Sequence, residues 1–318
     1  MNNFNDNYRK DLQLVLSLIL DRKFSQAKEL VEKLIDKNPE KKQLQMVYGD
    51  CLFGLGEFQL ARNCFLGCLS ERKLRSLCYG KIARINEKLE EFSEALIFYN
   101  KALKLSPRNS SILNSIGNVH KKNGSYSEAI DWYDKAISVQ PDEIVAKTNK
   151  AIVKLIQGEY AEAINLFIKV LETDKNNLRV LKLLADAYFN IRDLKNAFVT
   201  LEKAFKLAPD ELSIIIKIAE VCKSLGNFKL AINFLENSIK ANPDEAPLYI
   251  ALSGIYREIE EFSLYIETSK KAFKLDPNSE VTINNYGVAL TEIGEYSKAI
   301  SHYKKAAKSD PIESLRFE

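Results

Sequence analysis

Residues 110–143 read SSILNSIGNVHKKNGSYSEAIDWYDKAISVQPDE, and the proline near the end of this stretch belongs to a regular series. Seven of the eight prolines in the 318-residue chain are separated by 34 residues or by 68. They are Pro39, Pro107, Pro141, Pro209, Pro243, Pro277 and Pro311. A 34-residue period is typical of a solenoid of helix–turn–helix repeats, in which each repeat buries its apolar face against its neighbours.

The period divides nearly the whole chain into equal blocks. Starting at Tyr8, nine blocks of 34 residues follow without an insertion or a deletion. They start at residues 8, 42, 76, 110, 144, 178, 212, 246 and 280. We therefore predict an N-terminal extension over residues 1–7, nine repeats over residues 8–313 and a C-terminal tail over residues 314–318. Positions within each block are numbered here from 1 to 34.

Five positions of the block predict how each repeat folds. Position 8 is small in every block but the first, position 20 is alanine in eight blocks, and position 17 is aromatic in eight. Because small side chains allow helices to approach closely, we interpret the small and aromatic positions as interlocking contacts of one antiparallel helix pair. Five blocks carry glycine at position 15, which ends the first helix with a positive φ. Proline at position 32 ends the second helix, and Lys73 and Lys175 replace it in two blocks.

These residues resemble the tetratricopeptide repeat family. The match is best in the block quoted above, at Gly117, Gly124, Ala129, Trp132 with Tyr133, Ala136 and Pro141. The resemblance implies an all-α fold, namely an α-solenoid in which antiparallel helix pairs form a right-handed superhelix. It also implies that the first helix of each pair, the A helix, lines a concave groove, while the second, the B helix, lies outside.

Composition limits the classes of ligand. Charged residues make up 28% of the chain and nearly cancel, at a net charge of +3, which argues against nucleic acid as the main ligand. The five cysteines lack metal-finger spacing, and we expect no metal and no cofactor. Cys64 and Cys68 share one helical face, so a soft-metal or redox site is an alternative to simple packing. An odd number of unpatterned cysteines fits a reducing compartment, and we predict a cytoplasmic protein.

The first block is unusually apolar. Its run Leu12 to Leu20 is too short to span a membrane and keeps the phase of the repeat, so we interpret it as a helix and expect no membrane insertion. A helix that is apolar on most sides is normally buried. We therefore predict that this helix is covered, by self-association into a homo-oligomer, by a partner protein or by folding into the groove. The residues for self-association are Leu12, Leu16, Ile19 and Leu20.

The candidate binding residues lie on one stripe of the A helices. Positions 2, 5, 6, 9, 12 and 13 share a face and vary freely between blocks, which indicates that packing within a pair does not fix them. Lysine and arginine suit carboxylates, asparagine can bond the backbone of an extended peptide, and apolar residues can hold an apolar side chain. The candidates are Arg84, Lys88, Asn114, Asn118, Lys121, Lys122, Asn149, Leu155, Arg179, Lys182 and Phe189.

The sequence thus predicts a non-enzymatic scaffold for protein–protein interaction. Its groove would bind an extended peptide or a partner helix, in particular an acidic or polar segment. No phosphate-binding glycine loop, metal triad or nucleophile motif appears, so we expect no catalysis by this chain. Two alternatives stay open. One is the substrate-recruiting arm of a larger enzyme of the glycosyltransferase, sulfotransferase or oxygenase type, and the other is a self-assembling oligomeric platform.

Overall fold

The fold is entirely helical in the part of the chain that the structure describes. A computed structural model describes the backbone of residues 2–309 and the side chains of residues 8–304. Those residues form eighteen α-helices and no β-strand. They divide into two compact units, residues 1–153 and residues 154–318, which we call the first and the second unit. The prediction of an all-α solenoid of antiparallel helix pairs is confirmed.

Odd-numbered helices are A helices and even-numbered helices are B helices. The first unit contains α1 (Asn2–Leu20), α2 (Phe24–Lys37), α3 (Lys42–Gly54), α4 (Phe58–Gly67), α5 (Arg75–Lys88), α6 (Phe92–Leu105), α7 (Ser110–Lys122) and α8 (Tyr126–Val139), and a 3₁₀ turn at Cys68–Ser70. The division between the units lies within α9 (Ile144–Ile156). The second unit continues with α10 (Tyr160–Thr173), α11 (Leu178–Asn190), α12 (Leu194–Leu207), α13 (Leu212–Ser224), α14 (Phe228–Ala241), α15 (Ala246–Glu258), α16 (Phe262–Leu275), α17 (Glu280–Glu292) and α18 (Tyr296–Ser309). None of the helices within residues 2–309 combines the length and the apolar character needed to cross a bilayer.

Every A helix ends at a residue in the left-handed conformation, and this residue always occupies repeat position 15. Five of these residues are the predicted glycines, with φ between 73° and 82°. The other four are Arg22, Glu90, Arg192 and Glu260, with φ between 58° and 63°. In the fourth pair, the amide of Gly124 donates to the carbonyl of Lys121 at 3.1 Å, and the next amide donates to His120 at 2.9 Å. These two bonds satisfy carbonyls that the helix end leaves unpaired.

Proline at position 32 marks the end of a B helix but is not required for it. Helix α10 ends at Thr173, the same repeat position as Val139 at the end of α8. Pro141 follows α8, whereas Lys175 stands at that position after α10. At the other exception, Lys73, helix α4 already ends at Gly67 and a 3₁₀ turn follows. Helix termination therefore depends on more than the missing proline amide.

The contact that closes each helix pair differs from the one predicted. A side chain at Gly49, Gly117 or Gly287, all at position 8, would place its Cβ 2.6 Å from an aromatic ring. Those rings belong to Phe65, Tyr133 and Tyr303, at position 24 of the B helix. The aromatic residues at position 17, which we had predicted to fill this role, are half-buried or exposed. Phe24 instead packs on Gly54 of the next A helix, so position 17 supports the contact between successive pairs.

The first repeat begins earlier than the period alone indicated. Helix α1 starts at Asn2, so the predicted extension over residues 1–7 continues the first A helix from Asn2 onward. The predicted tail over residues 314–318 lies outside the described residues.

Within each unit, B helices pack on the A helix of the following pair, as α12 does on α13. In the second unit, one apolar core extends from α11 to α17.

The left-handed turn gives a first prediction. We expect Gly124→Ala to destabilise the first unit by about 1–2 kcal/mol, because an L side chain in this conformation is strained. Urea denaturation followed by circular dichroism measures the change. The control is Gly80→Ala, where the backbone is helical and no atom lies within 4 Å of the new Cβ, so stability should rise by about 0.5–1 kcal/mol. Equal effects of the two substitutions would contradict a left-handed conformation at Gly124.

A second prediction concerns a buried amide in α5. Asn86 is fully buried, and neither polar atom of its side chain has a hydrogen-bond partner. The equivalent residues in α3 and α17, Leu52 and Leu290, are buried apolar side chains. We therefore expect Asn86→Leu to stabilise the protein by about 1 kcal/mol, because it removes an unpaired polar group from the core. Asn86→Ala, which leaves a cavity, should gain less, and a loss of stability in Asn86→Leu would show that the amide is needed.

Candidate functional site

The A-helix face of the first unit is held together by polar contacts between successive A helices. Lys81 of α5 bonds Asp50 of α3 at 2.5 Å, and Lys122 of α7 pairs with Glu87 of α5 at 2.8 Å. Farther along, the side-chain amide of Asn149 in α9 donates to the side-chain oxygen of Asn114 in α7 at 2.9 Å. Each contact joins residues 31 to 35 positions apart, so each links one repeat to the next.

Two of the predicted asparagines form a single buried pair. Asn114 is 8% exposed and Asn149 is 6% exposed, and the hydrogen bond between them uses one polar atom of each. The amide nitrogen of Asn114 and the amide oxygen of Asn149 are not used in this bond. The third predicted asparagine, Asn118, accepts a hydrogen bond from the Tyr133 hydroxyl at 2.8 Å. The asparagines are therefore positioned by the protein before any ligand arrives.

Glu87 is an acidic residue among the basic side chains of α5 and α7. It accepts a hydrogen bond from the hydroxyl of Tyr99 at 3.0 Å and pairs with Lys122. Burial and the nearby carboxylate of Glu87 together raise the pKa of Tyr99 above its ordinary value, so this hydroxyl stays protonated and continues to donate. Lys122 is thus partly neutralised within the protein, which reduces what it can offer to an acidic ligand.

Two other cations of the predicted strip are exposed. The guanidinium of Arg84 lies over the ring of Phe53 at 5.1 Å, which orients it without neutralising its charge. Lys88, one turn farther along α5, is exposed and forms no ion pair with any side chain within residues 8–304. Lys121 on α7 is half-buried. The free positive charge of this face is therefore concentrated on α5.

In the second unit, the corresponding face is dominated by ion pairs. Lys182 pairs with Glu211, and Lys217 pairs with Asp186 at 3.3 Å while lying 4.3 Å from the ring centre of Phe189. Of the other predicted residues there, Arg179 is exposed and Leu155 is half-buried. Phe189 is also half-buried, and the lysine over its ring already covers part of its surface. Two of the four predicted residues of this unit, Lys182 and Phe189, are thus engaged within it.

Several of these ion pairs repeat one geometry. In Glu87–Lys122, Lys223–Glu258 and Arg257–Glu292, a residue at position 12 pairs with position 13 of the next A helix. The order of the charges is reversed between the first two pairs. The variation along the stripe therefore partly reflects matching between neighbouring repeats, which the sequence interpretation had attributed to ligand choice. A comparison of position 12 with position 13 of the following block would have shown the opposite signs.

The cysteines of the first unit behave as packing residues. Cys51, Cys68 and Cys78 are fully buried, and burial raises the pKa of Cys51 to about 11. A hydrogen bond from the Cys78 thiol lowers the pKa of Cys68, and the same bond raises that of Cys78 further. Cys68 in turn donates to the carbonyl of Lys42 at 3.3 Å. Within the described part of the chain, no three histidine, cysteine or acidic side chains are grouped so as to hold a metal ion.

The four apolar residues predicted for self-association divide into two classes. Leu12 and Ile19 pack against the core of the first helix pair. Leu16 and Leu20 are exposed, at 45% and 83% of their surface. Only the outer half of the predicted surface is thus available to a second molecule, and self-association through it stays a prediction.

Stacked helix pairs with a variable polar face define a helical-repeat protein. The chain belongs to the tetratricopeptide repeat family, whose models match residues 12–65, 77–109, 110–143 and 282–313. Residues 156–238 are similar to the family model of anaphase-promoting complex, cyclosome, subunit 3. A comparison with the sequences of curated proteins finds no match.

Solved structures share the fold at low sequence identity. Yeast Tom70 is 21% identical with a TM-score of 0.56, over 92% of this chain and 61% of that one. The Cut9–Hcn1 hetero-tetramer of the APC/C is 14% identical with a TM-score of 0.53, over 84% and 52%. PilF of Pseudomonas aeruginosa is 18% identical with a TM-score of 0.55, over 66% and 96%. The chain thus spans about half of the Cut9–Hcn1 chain, and these identities show the fold alone.

The pair of Lys182 and Glu211 gives a third prediction. The hydrogen bond from Lys182 lowers the pKa of Glu211, so the pair stabilises the fold above the ordinary carboxyl pKa and loses this effect as pH falls through the lowered value. We expect the coupling in a double-mutant cycle of Lys182→Met and Glu211→Gln to be present at pH 7 and to decrease as the pH falls below the ordinary carboxyl pKa. Lys195→Met, on the exposed face of α12, should show no coupling to Glu211 at any of these pH values. Coupling that does not decrease on acidification would contradict the ion pair.

Proposed function

We propose that this chain is a non-catalytic scaffold that binds an extended acidic or polar segment of a partner protein on the A-helix face of its first unit. The proposal rests on one observation: some positively charged side chains of that face form ion pairs within the protein and others do not. Lys81 and Lys122 are paired with acids of the neighbouring repeat, whereas Arg84 and Lys88 are exposed without such a partner. Charges that the fold does not use are available to a ligand.

The arrangement suits a peptide chain with carboxylates. Arg84 can bond a carboxylate through two parallel N–H groups, and the ring of Phe53, 5.1 Å from its guanidinium carbon, leaves its charge unpaired. Lys88 supplies a second positive charge one turn away. The pair of Asn114 and Asn149 keeps one donor and one acceptor unused, which matches the N–H and C=O groups of an extended backbone. Together these groups favour an extended acidic segment over a compact ligand.

The similar proteins support an interaction role without specifying its partner. The Cut9–Hcn1 structure is a hetero-tetramer, and tetratricopeptide repeat scaffolds are generally non-catalytic. The identity of the bound segment is therefore left to experiment. A library of displayed peptides, selected against the purified chain, would provide ligands whose composition can be read directly.

The fourth prediction tests the two free cations. Peptides selected on the wild-type protein should be enriched in aspartate and glutamate, and the variant Arg84→Glu/Lys88→Glu should bind them about tenfold or more weakly, because two attractive contacts become repulsive. Fluorescence anisotropy with labelled peptides measures the affinities, and the loss should shrink at high salt because exposed charges are screened.

A matched control changes the net charge by the same amount at a different place. Lys104→Glu/Arg108→Glu makes the same change of charge at two exposed residues at the end of α6 and just after it. This variant should bind the selected peptides as the wild type does. Equal losses in the two variants would indicate a general electrostatic effect, and unchanged binding in the first variant would exclude α5 as the binding surface.

A further inference from the structure

Three similar surface cavities lie along the B helices of the second unit, one each in the sixth, seventh and eighth repeats. Each cavity is lined by position 4 of an A helix and position 26 of the B helix that follows it. The three pairs of lining residues are Leu181 with Lys203, Ile215 with Asn237, and Tyr249 with Lys271. The cavity volumes are similar, at about 410, 390 and 450 Å³. They lie on B helices, away from the A-helix face described above.

Lysine is the rule at position 26. Seven of the nine blocks carry it, at Lys33, Lys101, Lys135, Lys169, Lys203, Lys271 and Lys305. In three repeats an aromatic residue stands near this lysine, either at position 23 of the same B helix or at position 4 of the preceding A helix. In each of these repeats the ammonium group lies over the ring. The distance to the ring centre is 4.7 Å from Lys101 to Phe98, 3.9 Å from Lys135 to Trp132 and 5.8 Å from Lys271 to Tyr249. The fold therefore normally covers an aromatic side chain at this place with its own cation.

Helix α14 breaks this rule. Its residue at position 26 is Asn237, although Phe234 stands where α6 and α8 have Phe98 and Trp132. Phe234 and Phe205 meet edge to face, with ring centres 5.6 Å apart, and both line the open cavity. Both rings are half-buried, as Phe98 and Trp132 are, but among the described side chains no cation lies over either of them.

The charges around this cavity also differ from those of its two counterparts. Lys175, Lys203 and Lys206 line the cavity before it, and Lys270, Lys271 and Lys274 line the cavity after it. No basic residue lines the central cavity. Its single charged residue is Asp210, and its other polar groups are the hydroxyl of Ser238 and the amides of Asn233, Asn237 and Asn242.

We propose that this cavity binds a lysine or arginine side chain of a partner protein, which takes the place of the missing repeat lysine. The methylene stem of that side chain would pack against Phe205 and Phe234, and its charged end would lie over the rings, as the ammonium groups of Lys101 and Lys135 do in the first unit. The carboxylate of Asp210 and the amide oxygens on α14 complement the positive charge. The groups that would repel a cation in the two neighbouring cavities are absent from the lining of this one.

Small probes of defined charge test the proposal. The probes are the Nα-acetyl methylamides of lysine, arginine and norleucine, of which norleucine has the apolar stem without the charge. Binding is followed by the chemical shifts of the side-chain amides of Asn233 and Asn237 in ¹⁵N-labelled full-length protein. We expect weak binding in which lysine and arginine exceed norleucine by about fivefold in affinity.

Two variants test whether a lysine of the protein itself and the lysine probe occupy the same cavity. Asn237→Lys restores the residue found in seven blocks, should fold normally and should lower the affinity for the lysine probe by about tenfold, because the cavity is then filled from within the protein. Asn237→Ala leaves the rings open and should bind the lysine probe nearly as the wild type does. Equal binding of norleucine and lysine, or undiminished binding in a folded Asn237→Lys variant, would overturn the proposal.

The proposal is independent of the acidic-peptide site on the first unit. The variant Arg84→Glu/Lys88→Glu should leave the shifts caused by the lysine probe unchanged, since those residues lie in the other unit. A partner that used both surfaces would need an acidic segment for the first unit and a basic residue for the second.

Discussion

The structure depends on one backbone constraint, a residue in the left-handed conformation at the end of every A helix. This residue stops the helix and reverses the chain so that the B helix folds back on its partner. Glycine meets the constraint without strain, but Arg22, Glu90, Arg192 and Glu260 meet it at a cost of about 1 kcal/mol each. They keep this conformation because the packing of the helices on both sides fixes the turn.

Once each pair is closed, pairing between neighbouring repeats and the proposed binding of a partner would draw on the same polar residues of the A helices. Charges at matching positions of neighbouring repeats pair with each other, as Glu87 and Lys122 do, and hold the stack in register. Exposed pairs of this kind contribute little stability individually. Residues that are not used in this way, such as Lys88, remain exposed and unpaired among the described side chains. Under the proposed function, the charges that neighbouring repeats leave unpaired are the ones that bind the partner.

The B-helix face follows a similar logic with a different interaction. In three of the repeats, a lysine at position 26 lies over an aromatic ring of its own repeat, so the protein satisfies the contact internally. At Asn237 this internal cation is missing, and the rings of Phe205 and Phe234 line an open cavity. On both faces, a departure from the repeat pattern exposes a group that is otherwise engaged within the fold.

The sequence by itself determined the repeat length, the helix order, the glycine turns and the family, because helix termination and close helix contacts depend on residue type at fixed local positions. It assigned the ring that contacts position 8 to position 17, whereas the ring belongs to position 24, because two aromatic positions on one B helix cannot be told apart by period alone. Only the tertiary structure showed that Asn114 and Asn149 form one buried pair, that Lys122 is partly neutralised and that Arg84 and Lys88 are free. These outcomes depend on side chains about 35 residues apart, whose contact is set by the packing of one helix pair on the next.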